Sequence, residues 1–239
     1  MNLKRREFII GGAALPLALF SARAIAQETP KESAPPKPGS EPARGAPQDG
    51  KLVQEFVGAG HRNLPRVKEL LAIDPKLVFA SWDWGRGDWE TALGGASHIG
   101  SRDIARYLLS QGARIDAFCA AMLADRNATL ALLAAHPATA TTKGPHNFTL
   151  LYHVAVGGDV AIAQAIQPLL PAGTPDYNQA LHAAAREGHL PMTKWLLENG
   201  VTDPSTRDAF KKTPLMTARE KKFREVAGEL ERHGATADL

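Results

Sequence analysis

Eight histidines and a single cysteine are the side chains of this 239-residue chain whose types best suit chemistry. Imidazole titrates near neutral pH and ligates zinc-like metals, and a thiolate is a nucleophile. Their spacing argues against both uses. The sequence contains no His-x-x-x-His pair, no Glu-flanked histidine pair and no Cys-x-x-Cys, so the local spacing of a zinc site is absent. Cys119 has no sequence-adjacent base and lies in the apolar stretch Phe118-Cys119-Ala120-Ala121-Met122, where it reads as a small buried residue. A lone cysteine also excludes an intramolecular disulfide. No G-x-S-x-G nucleophile turn occurs. Gly85-Arg86-Gly87 and Gly94-Gly95 are too short for a phosphate cradle. The expectation is a protein without an active site, cofactor or metal.

Recognition is the chemistry the composition favours. Three of the four tryptophans, Trp82, Trp84 and Trp89, fall in one stretch with Asp83, Arg86 and Asp88. Tryptophan and arginine dominate binding hot spots. Trp82 and Trp84 read equally well as exposed anchors or as rings folded onto the fold, and Trp89 reads as core.

The elements that must position these residues are set by residues 178–200. They read as two short amphipathic helices, 180–187 and 191–198, broken at Gly188-His189, with Pro191 in the first turn of the second and Gly200 closing it. Such a unit cannot bury its apolar face alone. Copies occur along the chain, at Val53, Thr91, Ile115, Thr149, Gln179 and Thr213 as equivalent positions, with steps of 38, 24, 34, 30 and 34 residues. The step lengths, together with Thr213-Pro214-Leu215 and Leu181-His182-Ala183-Ala184, resemble the ankyrin repeat, whose period is about 33. The resemblance implies an all-α solenoid of about six helix-turn-helix units over residues 51–239, with finger loops. It implies an enlarged, tryptophan-rich β-hairpin finger in the 38-residue step and almost no finger in the 24-residue step. It gives His182 and His189 structural duties. It also places His98, Ile99, Val156, Arg186 and Glu187 on the concave side of successive first helices. With Trp82, Trp84, Arg86 and Asp88 they are expected to form one partner-binding strip, anchored at Trp84.

The first 50 residues differ in kind. Lys4-Arg5-Arg6, an apolar run to Phe20 and Ala24-Ile25-Ala26 have the layout of an export signal over residues 1–26, cleaved after Ala26. The apolar run is shorter than the roughly 20 residues a membrane span needs. Arg5-Arg6 followed by x-Phe-Ile resembles the bacterial twin-arginine signal, an ordinary Sec signal being the alternative. Residues 27–50 are rich in Pro, Gly, Ser and charge and read as a tether that cannot offset its own ordering entropy. Removing residues 1–26 turns 28 basic and 25 acidic residues into 24 of each, so the basic pI gives no reason to expect nucleic acid. The combined expectation is a periplasmic ankyrin-repeat protein with a protein partner in the cell envelope and no stable membrane span after processing. Two alternatives stay open: a small-molecule or peptide sensor, and a metal-dependent enzyme using the concave histidines.

Overall fold

The structure, a computed structural model, describes residues 46–237. The expected signal and residues 27–45 of the expected tether lie outside the described residues. The folded region begins slightly earlier than the sequence predicts, because the Asp49 carboxylate accepts the Lys51 N–H at 2.8 Å and caps the first helix.

Six helix pairs follow, as expected: α1 (Gly50–Ala59) with α2 (Leu64–Ile73), α3 (Ala92–Ile99) with α4 (Arg102–Ser110), α5 (Ala117–Met122) with α6 (Arg126–Ala135), α7 (Leu150–Gly157) with α8 (Val160–Ile166), α9 (Asp176–Glu187) with α10 (Leu190–Asn199), and α11 (Pro214–Glu220) with α12 (Arg224–Arg232). The first helices of the pairs pack against one another in chain order. The repeating threonine is a helix cap. Thr91, Thr149 and Thr213 accept the backbone N–H of Gly94, Tyr152 and Met216 at 3.0, 3.2 and 3.2 Å, and Asp116 does the same for Cys119 at 2.7 Å. Each satisfies an N–H that the helix leaves unpaired, worth about 1 kcal/mol.

Small residues let the first helices approach. Ala180, Ala183, Ala184 and Ala185 of α9 are buried. A Cβ at Gly157, the last residue of α7, would sit 2.1 Å from the Ala121 carbonyl oxygen of α5. Gly188 ends α9 in the left-handed region (φ 76°), and the Phe223 ring of the next repeat lies against it, 2.9 Å from where a Cβ would stand.

Helix α9 departs from expectation and α8 is shortened as the prolines predict, each for a local cause. Helix α9 starts at Asp176, four residues before position 180: Asp176 favours the first turn, and the Asn178 side chain, instead of ending a turn, accepts the Thr202 N–H at 3.0 Å. Pro168 shortens α8 to seven residues and turns the chain into a 3-10 segment, Gln167–Leu169.

The fingers are uneven. The 38-residue step holds an antiparallel hairpin, β1 (Ser81–Asp83) and β2 (Trp89–Thr91), paired Ser81 to Thr91, Trp82 to Glu90 and Asp83 to Trp89. Only residues 111–116 separate α4 from α5. The third connection, residues 136–149, contains 3-10 turns at Pro137–Ala140 and Pro145–Asn147 and a bridge between Lys143 and Thr149. Among the described residues no helix is long and apolar enough to cross a membrane.

Candidate functional site

The hairpin register decides what the first finger presents. Side chains of directly paired residues share a face of a two-stranded sheet. Trp82 and Glu90 therefore point together toward the helices, and Asp83 and Trp89 away. Trp82 packs on the core, whereas Trp89, expected in the core, is 60% exposed. Asp83 shapes the hairpin tip by accepting the N–H groups of Gly85 and Gly87 at 2.8 and 3.1 Å. Trp84 folds back so that its indole N–H donates to Glu90 Oε2 at 2.7 Å. Arg86 stays exposed at the tip.

Glu90 is buried, and three imidazoles surround its carboxylate. His61 Nε2 and His146 Nε2 lie 3.4 and 3.6 Å from Oε2, and His98 Nδ1 lies 3.1 Å from Oε1. One ligand-capable atom from each of the four residues falls within 4.8 Å of every other. The outer partners fix which nitrogens carry lone pairs. His61 Nδ1 sits 3.1 Å from the Gly58 carbonyl and His146 Nδ1 sits 2.7 Å from Asp88 Oδ2. Carbonyls and carboxylates only accept, so each Nδ1 donates, and in the neutral imidazole the Nε2 lone pair faces Glu90. Glu90 Oε1 and His98 Nδ1 approach without hydrogen-bond alignment and are buried without hydrogen-bond partners.

Electrostatics follow from this packing. Burial pushes the Glu90 carboxyl up, but His98, His61 and the Trp84 N–H hold it below its ordinary value. Burial drives His98 below its ordinary value against the pull of Glu90. At neutral pH the centre therefore holds a carboxylate anion beside a neutral His98.

The third finger is pinned to this cluster. His146 has a left-handed backbone (φ 56°, ψ 24°), which histidine tolerates more readily than most residues. Asp88 holds it twice, accepting the His146 backbone N–H at 2.8 Å as well as the ring. The Asp88 carboxyl is correspondingly held low, first by that backbone hydrogen bond. From here rings stack toward the later repeats: His98 on Phe148 at 5.2 Å, and Phe148 on Tyr152 at 4.1 Å. The Arg186 guanidinium lies over Tyr152 at 5.6 Å, and Arg186 and the Tyr152 hydroxyl both donate to the His98 carbonyl at 3.1 Å.

These contacts correct the expected strip. His98 is 5% exposed and Val156 fully buried, so neither can face a partner. Both fingers cover His98, and the Val156 side chain packs against Gly100. Ile99 is half-buried, and Arg186 and Glu187 are half-buried and paired to each other at 2.9 Å. Trp84, Arg86 and Asp88 remain accessible in part, but Trp84 and Asp88 are engaged by Glu90 and His146. Local spacing gave no metal-ligand pattern, yet the fold brings together four groups that could hold an ion, from separated parts of the chain. His61 and His146 carry no signal within the repeat pattern. The usable one is Glu90, a carboxylate placed immediately before the capping Thr91.

Beside the cluster runs a groove of about 530 Å³ that includes His146, Phe148, Tyr152, His182, Arg186 and Phe210. His182 Nε2 is buried there without a hydrogen-bond partner, and burial drives this imidazole below its ordinary value against Asp208 and the Thr206 backbone. Phe210, on the finger between α10 and α11, is 81% exposed. Cys119 is buried and its thiol pushed up to about 12 by burial, which removes it as a nucleophile at neutral pH.

Fold and groove define an all-α repeat solenoid whose finger residues help to line a groove. Residues 153–238 match the family model for ankyrin repeats in three copies, so this part of the chain carries ankyrin repeats. Over 108 residues the chain is 36% identical to the Transient receptor potential cation channel subfamily A member 1 homolog of Caenorhabditis elegans. That alignment covers 44% of this chain and 9% of the relative, so the chain spans a small fraction of the protein it resembles.

Proposed function

We propose that this protein is an exported recognition module whose groove holds an extended segment of a partner protein in the cell envelope. One observation carries the reading. The groove combines an unpartnered buried acceptor-capable nitrogen, His182 Nε2, with an 81% exposed phenylalanine, Phe210, at its rim. An exposed aromatic beside an unmet polar group is what a bound segment would cover. Ankyrin repeats are protein-interaction modules, and solenoid curvature supplies the extended surface. The mechanism is binding without catalysis.

Phe210→Ala should weaken partner capture by about 2 kcal/mol, roughly 30-fold, as expected for a hot-spot anchor. Its melting temperature should stay unchanged, because the ring contributes almost nothing to the core. A capture assay from envelope extract, with a photo-crosslinker at position 210 to map the contacted segment, checks this. Equal capture by the variant would remove Phe210. If Trp84→Ala alone abolished capture, recognition would centre on the first finger.

A second reading, a small-molecule sensor, is favoured by the groove volume, which falls within the range of about 300–1,000 Å³ typical of ligand pockets. Intrinsic tryptophan fluorescence that shifts with a low-molecular-weight envelope fraction would select it.

Export rests on Arg5 and Arg6 and on the small residues ending at Ala26. Changing both arginines to lysine should leave precursor in the cytoplasm, visible as an uncleaved band after fractionation. Unimpaired export of that variant would indicate the Sec route.

A further inference from the structure

We propose that His61, Glu90, His98 and His146 form a binding site for one zinc-like divalent transition metal, closing the first finger onto the third. Three features of the cluster point to it. First, a carboxyl group in the interior, on a residue 1% exposed, has an imidazole nitrogen at 3.1 Å and two more within 3.6 Å. A buried carboxyl group needs partners that satisfy its oxygens, and burial without them is costly. Second, Glu90 Oε1 and His98 Nδ1, on residues 1% and 5% exposed, face each other without a hydrogen bond. A carboxylate oxygen and an imidazole nitrogen turned on the same point are both satisfied when a metal lies between them, with the His98 proton on Nε2. Third, the outer contacts are those of a ligand set. The Gly58 carbonyl orients His61 and the Asp88 carboxylate orients His146, each taking the proton on Nδ1 and leaving Nε2 to coordinate.

The dimensions agree. Tetrahedral coordination with bonds of about 2.0–2.2 Å places ligand atoms roughly 3.4 Å apart. The histidine-to-Glu90 distances, 3.1 Å to Oε1 and 3.4 and 3.6 Å to Oε2, bracket that value, and the four ligand atoms, which lie within 4.8 Å of one another, would draw in around a bound ion. Three imidazoles with one carboxylate suit zinc, cobalt, nickel or copper. Magnesium and calcium prefer oxygen donors throughout. His61 and His146 side chains are 24% and 33% exposed, which gives the ion a route from solvent. His146 also lines the groove, so a bound ion would fix one of its walls.

The test uses the full mature chain without a histidine tag, stripped with chelator and titrated calorimetrically with zinc. The expected result is one equivalent bound with a dissociation constant below about 1 μM, no heat with magnesium or calcium, and a higher melting temperature with zinc. Cobalt should give visible d–d bands without thiolate charge transfer. Glu90→Gln keeps the shape of a residue in the packed interior, and His146→Ala removes a ring from a partly exposed finger. Both should abolish the single tight site and the zinc-dependent melting shift. Asp88→Asn should weaken binding by about 10–100-fold through loss of His146 orientation. Far-UV circular dichroism of the metal-free variants establishes that they fold. Absence of stoichiometric zinc binding by the wild type would overturn the proposal. So would tight binding retained in both His146→Ala and Glu90→Gln.

Discussion

Leu196→Ala should cost about 2–5 kcal/mol of stability, lowering the urea midpoint and dropping the melting temperature by about 4–20 °C for a domain of this size. The size of the effect follows from where α10 lies. Leu196 is fully buried, and α10 packs against α9 of its own repeat and against α8 and α12 on either side. Three helices frame the vacated volume, so the site cannot collapse around alanine, and the cavity adds to the lost transfer free energy. Solenoid stability is a sum of repeat and nearest-neighbour contributions. Loss at this interface should therefore uncouple the last repeat and broaden the transition. The adjacent Leu197 is only half-buried, and its alanine variant should cost less than half as much. A Leu196→Ala cost below about 1 kcal/mol would contradict the packing.

Acidification should weaken the fold between about pH 6.5 and pH 4, by up to about 3 kcal/mol from His153 alone. His153 is 1% exposed, with its Nδ1 2.8 Å from the Thr149 carbonyl and its ring against Phe118 and Tyr152. Burial lowers its pKa from 6.5 to about 4. Above pH 6.5 neither folded nor unfolded chain binds this proton, and stability is independent of it. Between the two values the unfolded chain takes the proton and the folded chain does not, so unfolding gains about 1.36 kcal/mol per pH unit. Below about 4 both forms are protonated and the loss saturates. His98 and His182 are lowered by burial too and add to the slope. His153→Leu should flatten the slope of unfolding free energy against pH across this window, measured by urea titration at several pH values. An unchanged slope would show that His153 accepts its proton in the folded state.

Repeat boundaries were legible in the sequence because they depend on local contacts at fixed offsets. Thr91, Thr149 and Thr213 cap the helices that begin one residue later, and Gly100, Gly158 and Gly188 end theirs in the left-handed region. The start of α9 was missed because the Asn178 side chain is used by a finger 24 residues away, which no local pattern records. The candidate site was illegible for the same reason. Glu90 is turned inward by strand register, His98 is covered by Phe148, and His146 reaches the cluster only because Asp88 holds it from another finger. Residue types were visible, whereas burial was decided by segments that meet only in the folded chain.

The brevity of residues 111–116 has its own consequence. In chain order this connection lies between the hairpin and the third finger, which the contact between Asp88 and His146 joins. Inserting residues there would be entropically cheap, since doubling a flexible loop costs only about 0.6 kcal/mol. The added chain would nonetheless act as a wedge between two fingers that need to touch. At this connection length is the constrained variable, and residue identity is free apart from Gly112, whose φ is 95°, and Asp116, which caps α5. A library varying residues 113–115 at fixed length should therefore stay folded with both fingers joined, whereas one lengthening the connection should yield stable molecules whose fingers stand apart.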